Sequence, residues 1–223
     1  MSITQTILRL LSFRISKKEM IGFTKKHFIA GLTGTWLVGI GRYWDDPGAS
    51  ILQHMGLGSV IYIFCLSAFV WLIILPFKVE NWKYFNVVTF ISLTSFPALL
   101  YAIPVERLFP LAIAARINVW FLAIVASWRL ALLFQFMKRY CDFPGYIVTA
   151  VALLPVCLII NVLSLLNLER AVFAIMGGVR EKTANDNAYF ILLIITTISY
   201  IFILPLVITY IIGITNYRKK KGL

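Results

Sequence analysis

Long apolar runs separated by short polar stretches organise this chain. Five windows, 57–77, 85–103, 117–137, 146–166 and 189–212, each hold mainly apolar residues over the length a helix needs to cross a bilayer core. A sixth window, 28–44, is shorter and rich in glycine (Gly31, Gly34, Gly39, Gly41), and its apolar part closes at Arg42. Hydropathy alone leaves that window between a span and an interfacial or re-entrant segment.

Charge in the connections favours six spans. With six, both termini share one side with the 78–83 and 138–139 connections, which gathers 14 of the Lys and Arg residues there and leaves 6 opposite. Removing the first span would place the basic N-terminal segment and the Arg218–Lys221 tail on opposite sides, against the positive-inside rule. The expected architecture is therefore an all-α integral membrane protein, a bundle of six transmembrane helices with both ends cytoplasmic. It comprises a basic N-terminal segment (1–27), a membrane domain (28–212) and a basic cytoplasmic tail (213–223). In the first segment Ile3, Ile7, Leu11 and Ile15 recur at four-residue spacing with Leu8 beside them. Arg9 and Arg14 fall off that stripe, so a short helix lying in the membrane interface is expected.

Aromatic placement agrees with the spans. Trp44, Trp82 and Tyr101 fall near span ends, where amphipathic rings sit at headgroup level. Trp36, Trp71, Trp120 and Trp128 lie deeper and are expected to pack between helices. The outer connections 45–56, 104–116 and 167–188 are each long enough for a short helix.

Composition closes other routes. Of 223 residues 61% are hydrophobic and 13% charged, with a mean hydropathy of +0.88. So little charge cannot cover the surface of a soluble domain. The net charge of +12 sits mostly at the two ends of the chain, the pattern of segments facing an anionic leaflet rather than nucleic acid. Cys65, Cys141 and Cys157 lack a CxxC spacing and neighbouring histidines, which argues against a disulfide framework or structural zinc. The two histidines, His27 and His54, flank the first span on opposite sides and cannot hold one haem iron together. No cofactor or metal is expected, and no hydrolase, zinc-protease or phosphate-loop fingerprint is present.

The costliest residue is Arg129, nine residues before Lys138 and so about 13 Å deeper. A central arginine costs at least about 2.5–3.5 kcal/mol on insertion scales, and no Asp or Glu lies in any expected span. Its partners are then carbonyls, hydroxyls, water or an external anion. Pro97, Pro155 and Pro205 free the carbonyls of Leu93, Val151 and Ile201 for such a role. A second concentration of polarity lies in the outer connections: Arg42, Asp45, Asp46 and His54 in the first, Glu106 and Arg107 in the second, Glu169 and Arg170 in the third. Converging carboxylates and a histidine suit proton or divalent-cation chemistry. The same residues also read as turns and rim ion pairs, and Asp45-Asp46-Pro47-Gly48 is ordinary turn composition.

Three functions stay open on this basis. The chain binds or transports a small anion or lipid headgroup through Arg129; it is an accessory or scaffold subunit beside other membrane subunits; or it is a membrane enzyme using the outer rim. The expected location is a bacterial cytoplasmic (inner) membrane, with the lipid bilayer as constant partner and no nucleic acid.

Overall fold

A computed structural model of the chain describes residues 2–41, 51–166, 168 and 186–222. Among these the secondary structure is wholly helical. Contacts divide the chain into two compact units, residues 1–143 and 144–223.

The first unit holds α1 (Ile3–Leu11), α2 (Lys17–Ile21), α3 (Lys25–Gly41), α4 (Ile51–His54), α5 (Leu57–Ile74), α6 (Tyr84–Leu93), α7 (Val105–Leu108) and α8 (Leu111–Tyr140). Two 3₁₀ segments, Leu75–Phe77 and Phe96–Ala102, extend α5 and follow α6. Both short leading helices start in capping boxes, Ser2 with Gln5 and Ser16 with Glu19, each serine accepting an orphan N–H of the first turn. The Ser16 backbone N–H bonded to Glu19 holds that carboxyl below its usual range. The short helices α4 and α7 lie within the 45–56 and 104–116 connections.

α6 is the centre of this unit, with every residue from Asn86 to Leu93 buried. α3 and α5 pack on it, and from α8 Phe136 stacks on Phe90 at 4.0 Å between centroids. Glycine makes the α3–α6 approach possible. A Cβ at Gly31 would fall 2.3 Å from Ser92 Oγ, and one at Gly34 would fall 2.9 Å from the Phe96 ring. Close backbone approach through small residues is how helices associate where lipid removes the hydrophobic drive. Hydroxyls fill the contact: Thr35 Oγ1 lies 2.9 Å from the Gly31 carbonyl and 2.8 Å from Ser95 Oγ, while Ser95 donates to the Ser92 carbonyl at 2.6 Å. At one end of α6, Asn86 donates to Tyr140 Oη at 2.8 Å, and Tyr140 donates to the Asn81 carbonyl at 2.7 Å.

The second unit is a helical hairpin, α9 (Gly145–Leu165) and α10 (Asp186–Lys220). Its seam holds Ala150, Leu154 and Leu206, with Cys157, Ile203 and Tyr210 against them. Asn161 meets Ser199 further along α9 but earlier along α10, so the two helices run antiparallel.

Among the described residues five helical stretches are long and apolar enough to cross a membrane: Leu57–Phe77, Tyr84–Ala102, Arg116–Tyr140, Gly145–Leu165 and Leu193–Lys220. They coincide with the five long apolar windows of the sequence. α3 is not among them. Its 17 residues rise about 26 Å, short of a hydrocarbon core of about 30 Å, and positions 42–44 of the expected window lie outside the described residues.

Two expectations need correction. Trp120 does not pack between helices and is 68% exposed, while Trp36 and Trp128, 43% and 41% exposed, reach neighbouring elements only through the indole N–H, at the Met55 and Leu11 carbonyls. The amphipathic stripe of the N-terminal segment is also displaced. The residues it buries are Thr6, Leu10 and Ile15, while Leu8 is exposed, because α1 stops at Leu11 and docks through its Thr6–Leu10 face.

Candidate functional site

Arg129 stands two-thirds of the way along α8, a helix whose span is exposed over most of its length. Its guanidinium carbon lies 6.0 Å from the centroid of the Tyr62 ring on α5, near the limit of useful cation–π attraction. Nη2 is buried and has no hydrogen-bond partner among the described residues. The carbonyl of Leu93, freed by Pro97, is therefore not its acceptor. No carboxylate is available from the five candidate spans, which contain neither Asp nor Glu. An arginine offers five donors in a fixed fork that matches carboxylate and phosphate oxygens, so an unfilled nitrogen here is a donor without its acceptor.

The residues expected at an outer rim are only partly among those described. Arg42, Asp45, Asp46, Glu169 and Arg170 lie outside the described residues, and so does the side chain of Glu106. Of the rest, His54 ends α4 half-buried and Arg107 ends α7 exposed. The described residues include no group of three His, Cys, Asp or Glu placed to hold a metal ion. Cys141 is buried just past the end of α8, and burial pushes its thiol well above the ordinary range, so it is an inert apolar filler.

Two polar arrangements were not apparent from hydropathy. The first joins the N-terminal segment to α8. Residues 11–15 run beside that helix, and their alternate carbonyls each receive a side-chain donor. Trp128 Nε1 donates to Leu11 at 3.2 Å, Gln135 Nε2 to Phe13 at 2.6 Å, and Arg139 to Ile15 at 2.6 Å. The segment leaves α1 at Leu11 and turns at Phe13, whose φ is 60°, and residues 128, 135 and 139, which share a helix face, meet the three carbonyls. Lys17 adds an ion pair with Asp142. Inside or beside hydrocarbon such carbonyls find no water, so the donors must come from protein. The signal was Trp, Gln and Arg at intervals of seven and four, but nothing in the sequence named their acceptors.

The second arrangement is a knot in the α9–α10 hairpin. Asn161 Nδ2 donates to the Cys157 carbonyl at 2.7 Å and to Ser199 Oγ at 2.9 Å, and Ser199 Oγ donates to the same Cys157 carbonyl at 3.0 Å. Asn161 Oδ1 has no partner among the described residues.

Taken together, the helices and their apolar length define an integral membrane protein of all-helical fold. The chain matches no protein-family model, no curated protein and no solved structure.

Proposed function

We propose that this protein binds or transports a small anion or the headgroup of an anionic lipid at Arg129. The observation that carries the reading is the buried Nη2 of Arg129, a cation beside an aromatic ring with no counter-charge in the five candidate spans. Intramembrane ionisable residues are expensive and are retained where a substrate or ion path uses them. We place the protein in a bacterial inner membrane with six spans, α3 being the first, with α1 at the cytoplasmic interface and both termini cytoplasmic. The basic ends and the 14-to-6 division of Lys and Arg support that orientation.

Native mass spectrometry of the mildly solubilised protein tests the reading. The wild type is expected to retain an anionic lipid or metabolite at a fixed ratio. Arg129→Gln should lose it while still purifying as a single species. Retention of the same ligand by that variant overturns the proposal, and so does a bare wild-type protein.

A second reading, an accessory subunit of a larger membrane complex, is supported by α8. Trp120, Ile124 and Trp128 are exposed at four-residue spacing along one face of it. A protein partner at fixed ratio in the same spectra would favour this reading.

A further inference from the structure

One face of α8 stays open from the middle of the helix to its basic end. Residues 120, 124, 127, 131 and 138 form one stripe, since Trp120 and Lys138 stand 18 residues, or five full turns, apart. All five are exposed. Arg129 is nine residues from both Trp120 and Lys138, two and a half turns, and so lies on the opposite side of the helix. Around Trp120, Ile124 and Trp128 the stripe holds an open groove of about 530 Å³, with the small Ala123 and Ser127 as its floor. Its lining is almost wholly apolar, and its volume is within the range of ligand sites. One wall comes from outside α8. It is Phe13, in the N-terminal strap of residues 11–15 that Trp128, Gln135 and Arg139 hold. The left-handed φ of 60° at Phe13, uncommon for a bulky residue, lets its carbonyl meet Gln135 while its ring lines the groove.

The end of the stripe has the opposite character. Arg14, Lys18 and Lys138 are exposed cations with no ion pair among the described residues. The two acids at this end are taken, Glu19 by Arg9 and Asp142 by Lys17. Arg14 falls between the Phe13–Gln135 and Ile15–Arg139 contacts, so the strap at Arg14 runs level with Lys138. We infer that this face of α8 binds an anionic phospholipid of the cytoplasmic leaflet, with its phosphate on Arg14 and Lys138 and an acyl chain in the groove. The lengths agree. A leaflet measures about 20 Å from headgroup to midplane, and Ile124, in mid-groove, stands 14 residues or about 21 Å from Lys138. The charges choose the headgroup. A zwitterionic lipid brings a cation of its own towards Arg14 and Lys138, and an anionic one does not. They also disfavour a second copy of this chain, because a parallel symmetric pair sets Lys138 against Lys138. The inference rests on the cytoplasmic placement of this end given above, and on nothing that Arg129 binds. Both cations are exposed, so the lipid exchanges with the bilayer and is read at equilibrium in a membrane.

Quenching of tryptophan fluorescence by chain-brominated lipids tests the site, with the full chain in phosphatidylcholine vesicles. The signal of this face is the difference between the wild type and a variant with Trp120→Phe and Trp128→Phe, each of which keeps an aromatic ring. Brominated phosphatidylglycerol should half-quench that signal at about a tenfold lower mole fraction than brominated phosphatidylcholine. Arg14→Gln together with Lys138→Gln should remove the preference and leave quenching by brominated phosphatidylcholine unchanged. Arg129→Gln should keep the preference, whether or not it loses the ligand proposed at Arg129. Equal quenching by the two lipids overturns the inference, and so does a preference that survives Arg14→Gln with Lys138→Gln. A preference lost in Arg129→Gln also overturns it and assigns the lipid to Arg129. If neither lipid quenches this face, protein covers it and the inference fails. Should the Arg14, Lys138 double variant not insert, the wild-type titration in about 1 M salt decides, since a Debye length of about 3 Å screens exposed charges. Loss of the preference there supports the site, and its persistence overturns it.

Discussion

The helix pair α3 and α6 and the hairpin α9 and α10 solve the same problem differently. Each must hold two helices together where burial from water contributes little. The first pair removes side chains: Gly31 and Gly34 let α3 sit against Ser92 and Phe96, and Thr35, Ser92 and Ser95 satisfy the carbonyls thereby brought close. The hairpin keeps its side chains, lines its seam with Ala150, Leu154 and Leu206, and has one polar knot at Asn161 and Ser199. Their prolines differ accordingly. Around Pro97 the sequence supplies Ser92, Thr94 and Ser95, and the α-helix ends at Leu93 and resumes as a 3₁₀ segment. Thr94 Oγ1, for instance, caps the Ile91 carbonyl at 2.7 Å. Pro155 and Pro205 have apolar neighbours and stay inside continuous helices. A break in lipid therefore forms where hydroxyls stand ready to serve the freed backbone, and proline alone does not dictate it.

The contrast can be broken most sharply at Gly31. Gly31→Leu forces a side chain into space held by Ser92 and the Leu93 backbone, and should cost about 3 kcal/mol or more. Denaturant titration in detergent, followed by tryptophan fluorescence, reads that loss. A change below about 1 kcal/mol would mean α3 is not seated as described. The hairpin should respond less to loss of its knot. Asn161→Leu removes two useful bonds together with one orphan acceptor, and should cost about 0.6 kcal/mol, at most about 1.7. Gly145 at the start of α9 sharpens the comparison by sign. A Cβ there meets nothing within 4 Å, so Gly145→Ala should stabilise by about 0.4–1 kcal/mol through the unfolded state. The same titration would show a rise where Gly31→Leu shows a fall.

Much of this fold was legible in the sequence because lipid makes apolar length decisive. The five long windows became five helices of span length, and Gly31, Gly34, Gly39 and Gly41 each lie against a close neighbour in the structure. The N-terminal face was not legible. Ile3, Ile7, Leu11 and Ile15 promised one stripe, yet Ser12 ends the helix and Phe13 turns the chain at a φ of 60°, so Ile15 leaves the helical register. Thr6 is buried because His27 waits for it, a partner 21 residues away that periodicity cannot reveal. Of the candidate site, Arg129 was found by cost alone, since a cation among apolar residues needs no structure to be noticed. Its neighbour Tyr62 depends on how α5 meets α8, which hydropathy does not encode.

The strap on α8 has a consequence for synthesis. Its three bonds join residues separated by 117, 122 and 124 positions, and Lys17 reaches Asp142 over 125. At about 5–20 residues per second, the N-terminal segment waits roughly 6–25 s before its docking helix has even been translated. Throughout that interval α3, α5 and α6 are already made while residues 11–17 lack the donors and the ion-pair partner that α8 and Asp142 bring. Residues made long before α8 are thus among the last of this unit to be secured. A nascent chain stopped before Trp128 would present them free, whatever the state of the helices already made.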